Sequence, residues 1–236
     1  MCYHTSVQIT AKDLVKIFNA PFPKEENYKV LYHANGFAHP DMAVLSHEQE
    51  RSLNIYSWGL IPLWAKDWNH ALKVRNHTLN ARLEEVFKKP SYRAAILSRR
   101  CVIPVTGIFE WKHVGKEKIP YYIHPKEHQV FYLAGIYSHW NDPSTRDEIT
   151  TFSILTSAAN EMMSDIHNSA KRMPLMLDCE NIDDWILPDL SPASIKELMN
   201  PCDDNNMEAY TISKDISNPK VNSDVESITD KIEYGN

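Results

Sequence analysis

Long apolar runs and export signals are both absent from this 236-residue sequence. No stretch approaches the roughly 18 uncharged apolar residues that a membrane-spanning helix needs. The N-terminus lacks a basic segment followed by an apolar one, which is the pattern of a secretory signal. We therefore expect a cytoplasmic globular protein with no membrane partner. Its hydrophobic content of 43% is sufficient for a sizeable core.

Cysteine is also scarce, and the chain contains four: Cys2, Cys101, Cys179 and Cys202. None belongs to a Cys-x-x-Cys pair, which argues against a structural zinc site. Because no export signal is present, we expect these thiols to stay reduced. Nothing in the sequence indicates a metal or an organic cofactor.

Positive charge is in deficit overall, with a net charge of −6, but not in the middle of the chain. Between Lys66 and Lys118, twelve Lys or Arg residues face five Asp or Glu, a local charge of +7 that leaves −13 elsewhere. A basic face on an acidic protein is typical of a polyanion partner. Ordinary solvated charges would give the same count, so charge alone leaves both interpretations open.

Repeats and low-complexity blocks are missing as well, and no linker precedes residue 214. Strand-like runs are joined mainly by polar turns: RCVIPVTGIFEWK, PYYIHP, VFYLAGIYSHW, EITTFSILTSA, RMPLML and MEAYTIS. Short helices are predicted in AKDLVKIFNAPFP, where prolines end the helix, from about Asn80 to before Pro90, near AANEMMSD, and at NIDDWIL and SPASIKELM. This pattern predicts an α+β fold with a mainly antiparallel, barrel-like sheet and flanking short helices. We expect one domain over residues 1–213 and a polar, loosely ordered tail over residues 214–236.

A cysteine directly follows the first methionine in the opening MCYHTS. Cysteine is small enough for methionine removal, after which Cys2 would carry an α-amine and a thiol on adjacent carbons. The amine titrates near pH ~7.7–8.0 and the thiol near ~8.5, so both are partly available at neutral pH. Taken alone, an unremarkable frayed terminus explains this residue equally well.

Two further clusters contain residues that could carry chemistry. Asn80 and Arg82 flank an alanine in TLNAR, where the asparagine could equally be a helix N-cap. Glu110 lies in the strand-like VTGIFEWK, and period-2 alternation places it on one face with Ile108 and Lys112. Such a carboxylate either faces solvent or lines a cavity in which its pKa rises.

The last cluster is SDIHNSAKRMPLML, in which His167 precedes Asn168 and an Arg-Met-Pro run leads into a strand. Taken singly, a histidine in a loop is more often structural than catalytic. The order of all the clusters along the chain is therefore more informative than any one of them.

Together, these clusters resemble the SOS response-associated peptidase (SRAP) family, whose members shield abasic sites in single-stranded DNA. The family pattern runs from Met-Cys-Gly-Arg through a Trp-Gly-rich segment, Asn-Ala-Arg, a Gly-(Phe/Tyr)-x-Glu-Trp motif and a His followed by Arg-Met-Pro. Here the same order reads MCYH, SWGLIPLWAKD, LNARLEE, TGIFEWK and IHNSAKRMPLML, over roughly residues 2 to 190.

The resemblance implies a catalytic role for four residues. Cys2, made N-terminal by loss of Met1, would attack the C1′ aldehyde of a ring-opened abasic site. Its amine would form a Schiff base, and its thiol would then close a thiazolidine ring. Asn80 would hold the amine or the sugar, Glu110 would transfer protons, and His167 would assist ring opening.

The resemblance also implies a set of DNA contacts. The side chains expected to contact phosphates or unstacked bases are Arg82, Arg172, Lys171, His4, Trp58, Trp64 and Trp68. Base stacking would contribute ~1–3 kcal/mol per base, and we expect at least one of the three tryptophans to lie in the core instead. Two positions depart from the family pattern: His4 replaces an arginine, and four residues separate His167 from Arg172. Lys171 would then take over part of the phosphate binding.

The implied function is that of a DNA-damage enzyme, a monomer that crosslinks to abasic sites and blocks strand scission on the nucleoid. Autopeptidase activity and reversal of the crosslink are further implied activities, of hydrolase and lyase type. Two alternatives stay open. An N-terminal-nucleophile amidohydrolase would use the Cys2 thiol on an amide, whereas a noncovalent single-strand-binding module would need no reactive cysteine.

Overall fold

The structure, a computed structural model, describes residues 2–48, 50–200 and 204–234. Met1 and Cys202, which figure in the predictions above, lie outside these residues. The strands are β1 (His4–Val7), β2 (Leu31–Asn35), β3 (Asp41–His47), β4 (Arg51–Trp58), β5 (Asn80–Arg82), β6 (Arg100–Val105), β7 (Gly107–Val114), β8 (Glu117–Pro125), β9 (Phe131–Asn141), β10 (Glu148–Ala158), β11 (Arg172–Pro174), β12 (Met176–Leu177) and β13 (Met207–Thr211). The α-helices are α1 (Ala11–Phe18), α2 (Trp68–Arg75), α3 (Ala95–Ser98), α4 (Glu161–Ile166), α5 (Ile182–Ile186) and α6 (Pro192–Glu197).

Five strands close into a barrel. β3 pairs with β4 and β6, β6 pairs with β9, β9 pairs with β10, and β10 returns to β4 to complete the ring. The β10–β4 pairing is parallel and the others are antiparallel. Fully buried apolar side chains on these strands, such as Leu53, Val102 and Leu133, belong to one core. The predicted α+β fold with a mainly antiparallel, barrel-like sheet is confirmed.

A second, antiparallel sheet runs in the order β13-β8-β7-β1-β2. In it, Thr5 of β1 pairs with Ile108 of β7, and Ser6 pairs with Gly107. A side chain at Gly107 would lie 2.3 Å from the Tyr122 ring, so this register requires glycine there. Because the pairing is antiparallel, the residues just before Thr5 lie beside those just after Ile108. The second sheet thereby brings Cys2 next to Glu110.

The prediction of a helix that begins at about Asn80 is wrong. Asn80–Arg82 form β5, which pairs in parallel with β10, and turns follow it. Ala81 of this strand is fully buried opposite Leu155. The long-range pairing with β10 thus overrides the local helix preference of the segment, and Asn80 is not a helix cap.

The other short helices are confirmed as α1, α4, α5 and α6, and the structure adds α2 and α3. α1 begins at the capping residue Thr10, whose side chain accepts a hydrogen bond from Asp13 N. Among the described residues, no helix has both the length and the apolar character needed to cross a membrane.

The segment from residue 214 to 234 is packed on the second sheet rather than loosely held. Ile216 and Ile228 are buried in a cluster with Phe109 and Tyr122. Asp224 Oδ1 accepts hydrogen bonds from the backbone nitrogens of residues 32 and 33, at 2.7 and 3.1 Å. The apolar residues that dock this segment, Ile216 and Ile228, are widely spaced among polar ones. The sequence therefore shows no periodicity there that would predict packing. Residues 235–236 lie outside the description.

Candidate active site

A cavity of about 560 Å³ lies where the barrel meets the second sheet. Its walls contain Tyr3, His4, Arg82, Glu110, Trp111, His113, Lys118, His167, Ser169, Ala170, Arg172 and Ser217. Five sequence-predicted residues are brought together here: His4, Arg82, Glu110, His167 and Arg172. The volume is within the usual range for a small-molecule or nucleotide site.

Cys2 adjoins this cavity through its chain neighbours Tyr3 and His4, and it is fully buried. Asn80 Nδ2 donates a hydrogen bond to the Cys2 carbonyl oxygen at 2.8 Å, so β5 holds the start of the chain in place. Burial, with a smaller contribution from the Glu110 carboxylate, raises the pKa of the Cys2 thiol well above its ordinary value. The sulfur is therefore a thiol rather than a thiolate at neutral pH.

Glu110 is 5% exposed, and its Oε1 lies 3.7 Å from His167 Nδ1. That oxygen makes no hydrogen bond within the described part of the chain. Burial raises the pKa of Glu110 to about 8. Of the two environments considered for this carboxylate, the cavity is confirmed. A carboxyl group that titrates near neutral pH is suited to proton transfer in both directions.

His167 follows α4 directly, and its Nδ1 donates to the Arg172 carbonyl oxygen at 2.8 Å. This bond fixes the tautomer, because a nitrogen that donates to a carbonyl must carry the proton. Burial lowers the pKa of His167 below its usual value, so the ring is neutral at neutral pH. Its other nitrogen, Nε2, is then the proton-accepting one.

The loop between His167 and Arg172 is docked on β7 by Asn168. Its Oδ1 accepts from His113 N at 3.1 Å, and its Nδ2 donates to His113 O at 2.9 Å. Lys171 adopts a left-handed backbone conformation with φ of 51°. Its side chain is exposed and is not part of the cavity wall. The structure therefore does not place Lys171 at the cavity, contrary to the prediction.

Arg172 reaches the cavity but is already paired. Its Nη1 and Nη2 donate to the two Glu84 carboxylate oxygens at 2.6 and 3.1 Å, and Nη2 also donates to Thr156 O at 2.6 Å. A phosphate would need the same planar donors. Phosphate binding by Arg172 therefore requires displacement of Glu84, a partner that no sequence motif indicates.

His4 does not replace the family arginine as a cation. Its Nδ1 lies 2.8 Å from His33 Nε2, and its ring packs edge-on against Trp111. Burial, together with the neighbouring His33, lowers the pKa of His4 to about 3. A neutral imidazole cannot pair with a phosphate as a cation does, which agrees with a weakened phosphate contact at this position. A contact between His4 and DNA stays a prediction.

The three tryptophans separate into core and surface residues. Trp58 is fully buried, and its Nε1 donates to Leu79 O at 2.9 Å, so the predicted base contact is wrong for this residue. The expectation that at least one of the three lies in the core is confirmed. Trp64 and Trp68 are 46% and 38% exposed, outside the cavity wall. Their contact with bases stays a prediction.

Several wall residues were not anticipated. Trp111 and Ser217 are joined by a 2.9 Å hydrogen bond from Trp111 Nε1, and His113 and Lys118 are direct cross-strand partners in β7 and β8. The turn-forming Gly115 in the sequence could have indicated a hairpin in which His113 pairs with Lys118. No sequence signal could have placed Ser217, because it reaches the cavity from the polar C-terminal segment.

The raised pKa of Glu110 predicts a pH dependence of stability. An unfolded glutamate ionises near 4.5, whereas folded Glu110 ionises near 8. Between these values the folded state binds more protons, so ionisation favours unfolding. The free energy of unfolding should fall as pH rises through this window, by up to about 1.4 kcal/mol per pH unit. Denaturant unfolding at pH 5 and pH 8 should show a smaller loss of unfolding free energy for Glu110→Gln than for wild type. Equal losses in the two proteins would contradict the buried environment assigned to Glu110.

The site is thus a buried cysteine near the start of the chain, beside a buried carboxyl group with a raised pKa and a neutral histidine, on an α+β barrel. Within the described residues, no group of three or more His, Cys, Asp or Glu is arranged to hold a metal ion. A family model described as SOS response associated peptidase (SRAP) matches residues 1–219. The chain belongs to the SRAP family.

Similar proteins agree with this assignment. The chain is 35% identical over 226 residues to "Abasic site processing protein YoqW" of Bacillus subtilis (strain 168), covering 94% of this chain and 97% of that protein. It is 32% identical over 170 residues to "Abasic site processing protein HMCES" of Gallus gallus, covering 64% of this chain and 49% of that protein. A crystal structure of a protein from Bacteroides thetaiotaomicron superposes with a TM-score of 0.91 at 36% identity, covering 98% and 100% of the two chains.

Proposed function

We propose that this protein captures abasic sites in single-stranded DNA by forming a thiazolidine between the sugar aldehyde and Cys2. The observation that carries the proposal is the position of Cys2, held by Asn80 beside a cavity that contains Glu110 and His167. The similar proteins named above are called abasic site processing proteins. The basic segment from residue 66 to 118 supports a polyanionic partner.

The first step requires a free α-amine on Cys2, which removal of Met1 would supply. The amine nitrogen attacks C1′ of the ring-opened sugar, and the aldehyde oxygen takes a proton to give a carbinolamine. Glu110, protonated below about pH 8, donates a proton to the departing hydroxyl. Water leaves, and a C=N bond forms.

The second step closes the ring. The Cys2 sulfur adds to the imine carbon, and the proton of the thiol passes to the nitrogen, with Glu110 as the carrier. Since burial keeps the sulfur protonated, the amine acts first and the thiol second. The aldehyde and the aminothiol together lose one water, so no oxidant or reductant is needed.

His167 and Asn80 support these steps. The neutral ring of His167, fixed by its bond to the Arg172 carbonyl, can take and return the proton of the sugar hydroxyl during ring opening. Asn80 donates a hydrogen bond to the Cys2 carbonyl oxygen, so its amide holds the N-terminal residue beside the cavity. Return of the proton by Glu110 would also allow the ring to reopen, which is the route to a reversible crosslink.

An amidohydrolase is less well supported by the same site. Attack on an amide would use the same Cys2 thiol, but it makes no use of the basic segment from residue 66 to 118 or of the exposed Trp64 and Trp68. An aldehyde is more electrophilic than an amide and reacts with the amine first.

The proposal is tested with a denaturing gel. The purified protein is incubated with single-stranded DNA that carries one abasic site, beside the same strand without it. A heat-stable shifted band on the abasic strand alone is expected. Binding without any such band, equal on both strands, would favour the noncovalent module and reject covalent capture.

Glu84→Gln should tighten noncovalent binding of single-stranded DNA several-fold. The change removes an exposed carboxylate and releases the Arg172 donors for a phosphate. Glu85→Gln is the matched control, because Glu85 is adjacent but pairs with Lys89. Affinity is measured by fluorescence anisotropy with a strand that carries a non-reactive tetrahydrofuran in place of the abasic sugar. Equal effects of the two variants would show that Arg172 gains no phosphate contact.

A further inference from the structure

The cavity lacks two of the cations that the family pattern supplies for phosphate binding. His4 is neutral and hydrogen-bonded to His33, and Arg172 is occupied by Glu84. A DNA strand that enters this cavity still brings a phosphate on each side of the abasic sugar. Phosphate contacts supply most of the sequence-independent affinity, so other cations must bind these phosphates.

Apart from Arg172, two cationic side chains among the described residues line the cavity: Arg82 and Lys118. Both are exposed, and neither has an ion pair or a side-chain hydrogen bond to any residue that the structure describes. Arg82 was expected from the Asn-Ala-Arg motif. Lys118 follows no motif and has been given no role.

The hairpin formed by β7 and β8 directs Lys118 to the site. Lys118 pairs across the strands with His113, which also lines the cavity. The neighbouring carboxylate of Glu117 pairs instead with Lys214, at 2.9 Å. The positive charge of Lys118 is therefore not neutralised within its own hairpin.

We propose that Lys118 binds a phosphate next to the abasic site. Lys118 and Arg82 lie on strands of different sheets. Arg82 comes from β5, which pairs with the barrel strand β10, whereas Lys118 comes from β8 of the second sheet. A strand that enters the cavity thus meets one cation from each sheet. This inference rests on the proposed function and adds a binding residue to it.

The test compares Lys118→Ala with Lys116→Ala. Lys116 is exposed in the turn of the same hairpin but does not line the cavity, so it controls for the general loss of charge. Affinity for single-stranded DNA with a central tetrahydrofuran is measured at several salt concentrations, with the full chain. Lys118→Ala should weaken binding several-fold and lower the slope of log K against log salt by about 0.7. Lys116→Ala should leave the slope unchanged.

Crosslinking at subsaturating abasic DNA gives a second readout. Lys118→Ala should lower this rate by about the same factor as its affinity for the DNA, because the residue holds the phosphate. If wild type crosslinks but the two lysine variants bind alike, the role of Lys118 is rejected and the proposed function stands. If wild type neither binds nor crosslinks abasic DNA, the proposed function fails and the phosphate role fails with it.

Discussion

Cys2→Ser should abolish the heat-stable adduct with abasic DNA while it preserves noncovalent affinity. Serine keeps the α-amine, so the Schiff base can still form. Its hydroxyl is a weaker nucleophile than a thiol, and the imine is left open to hydrolysis. Borohydride, which reduces imines, should therefore trap an adduct of the variant, whereas the wild-type adduct should survive heating without it. Both products are followed on denaturing gels.

Cys101→Ser provides the matched control for loss of a thiol. Cys101 is also fully buried, and burial raises the pKa of its thiol, but it lies in β6 and does not line the cavity. This variant should crosslink as wild type does, provided that its thermal unfolding shows a folded protein. A heat-stable adduct that persists in Cys2→Ser would place the covalent bond elsewhere in the chain.

Glu110→Gln should lower the crosslinking rate at saturating DNA by about 10²–10⁴-fold, the usual contribution of a general acid or base. Glutamine preserves the shape of the side chain but cannot release a proton. The affinity for the tetrahydrofuran strand should change little, because a protonated carboxyl and an amide are both uncharged. Single-turnover gels give the rate, and anisotropy gives the affinity.

The pH profile identifies the role of Glu110 in this reaction. The wild-type rate should rise as the Cys2 amine loses its proton, near pH ~7.7–8.0. It should fall above about pH 8, where Glu110 loses the proton that it donates to the leaving hydroxyl. Glu110→Gln should lack the alkaline fall. An unchanged profile in the variant would assign the proton transfer to another group.

The fold was largely predictable because its signals are local. Strand-like runs separated by polar turns indicated the antiparallel barrel, and period-2 alternation placed Glu110 with Lys112. In the structure Lys112 pairs with Asp165 of α4, on the side where His167 meets Glu110. The sequence therefore allowed Glu110 either to face solvent or to line a cavity, and the structure shows the second.

What could not be predicted depends on contacts between distant residues. β5 exists because Asn80 pairs with Ile154, and no local pattern shows this. The loss of Arg172 as a ready phosphate ligand depends on Glu84, which lies 88 residues away in sequence. The neutral state of His4 likewise depends on burial and on His33, which arrives from β2. In each case a residue type suggested one chemistry, and a long-range partner changed it.

The most direct test of covalent capture is the intact mass of the adduct formed without reductant, followed by peptide mapping. The account predicts the mass of the protein without Met1 plus the DNA strand minus one water, with the modification on the N-terminal peptide at Cys2. An adduct mapped to a lysine, or one that still carries Met1, would contradict the account.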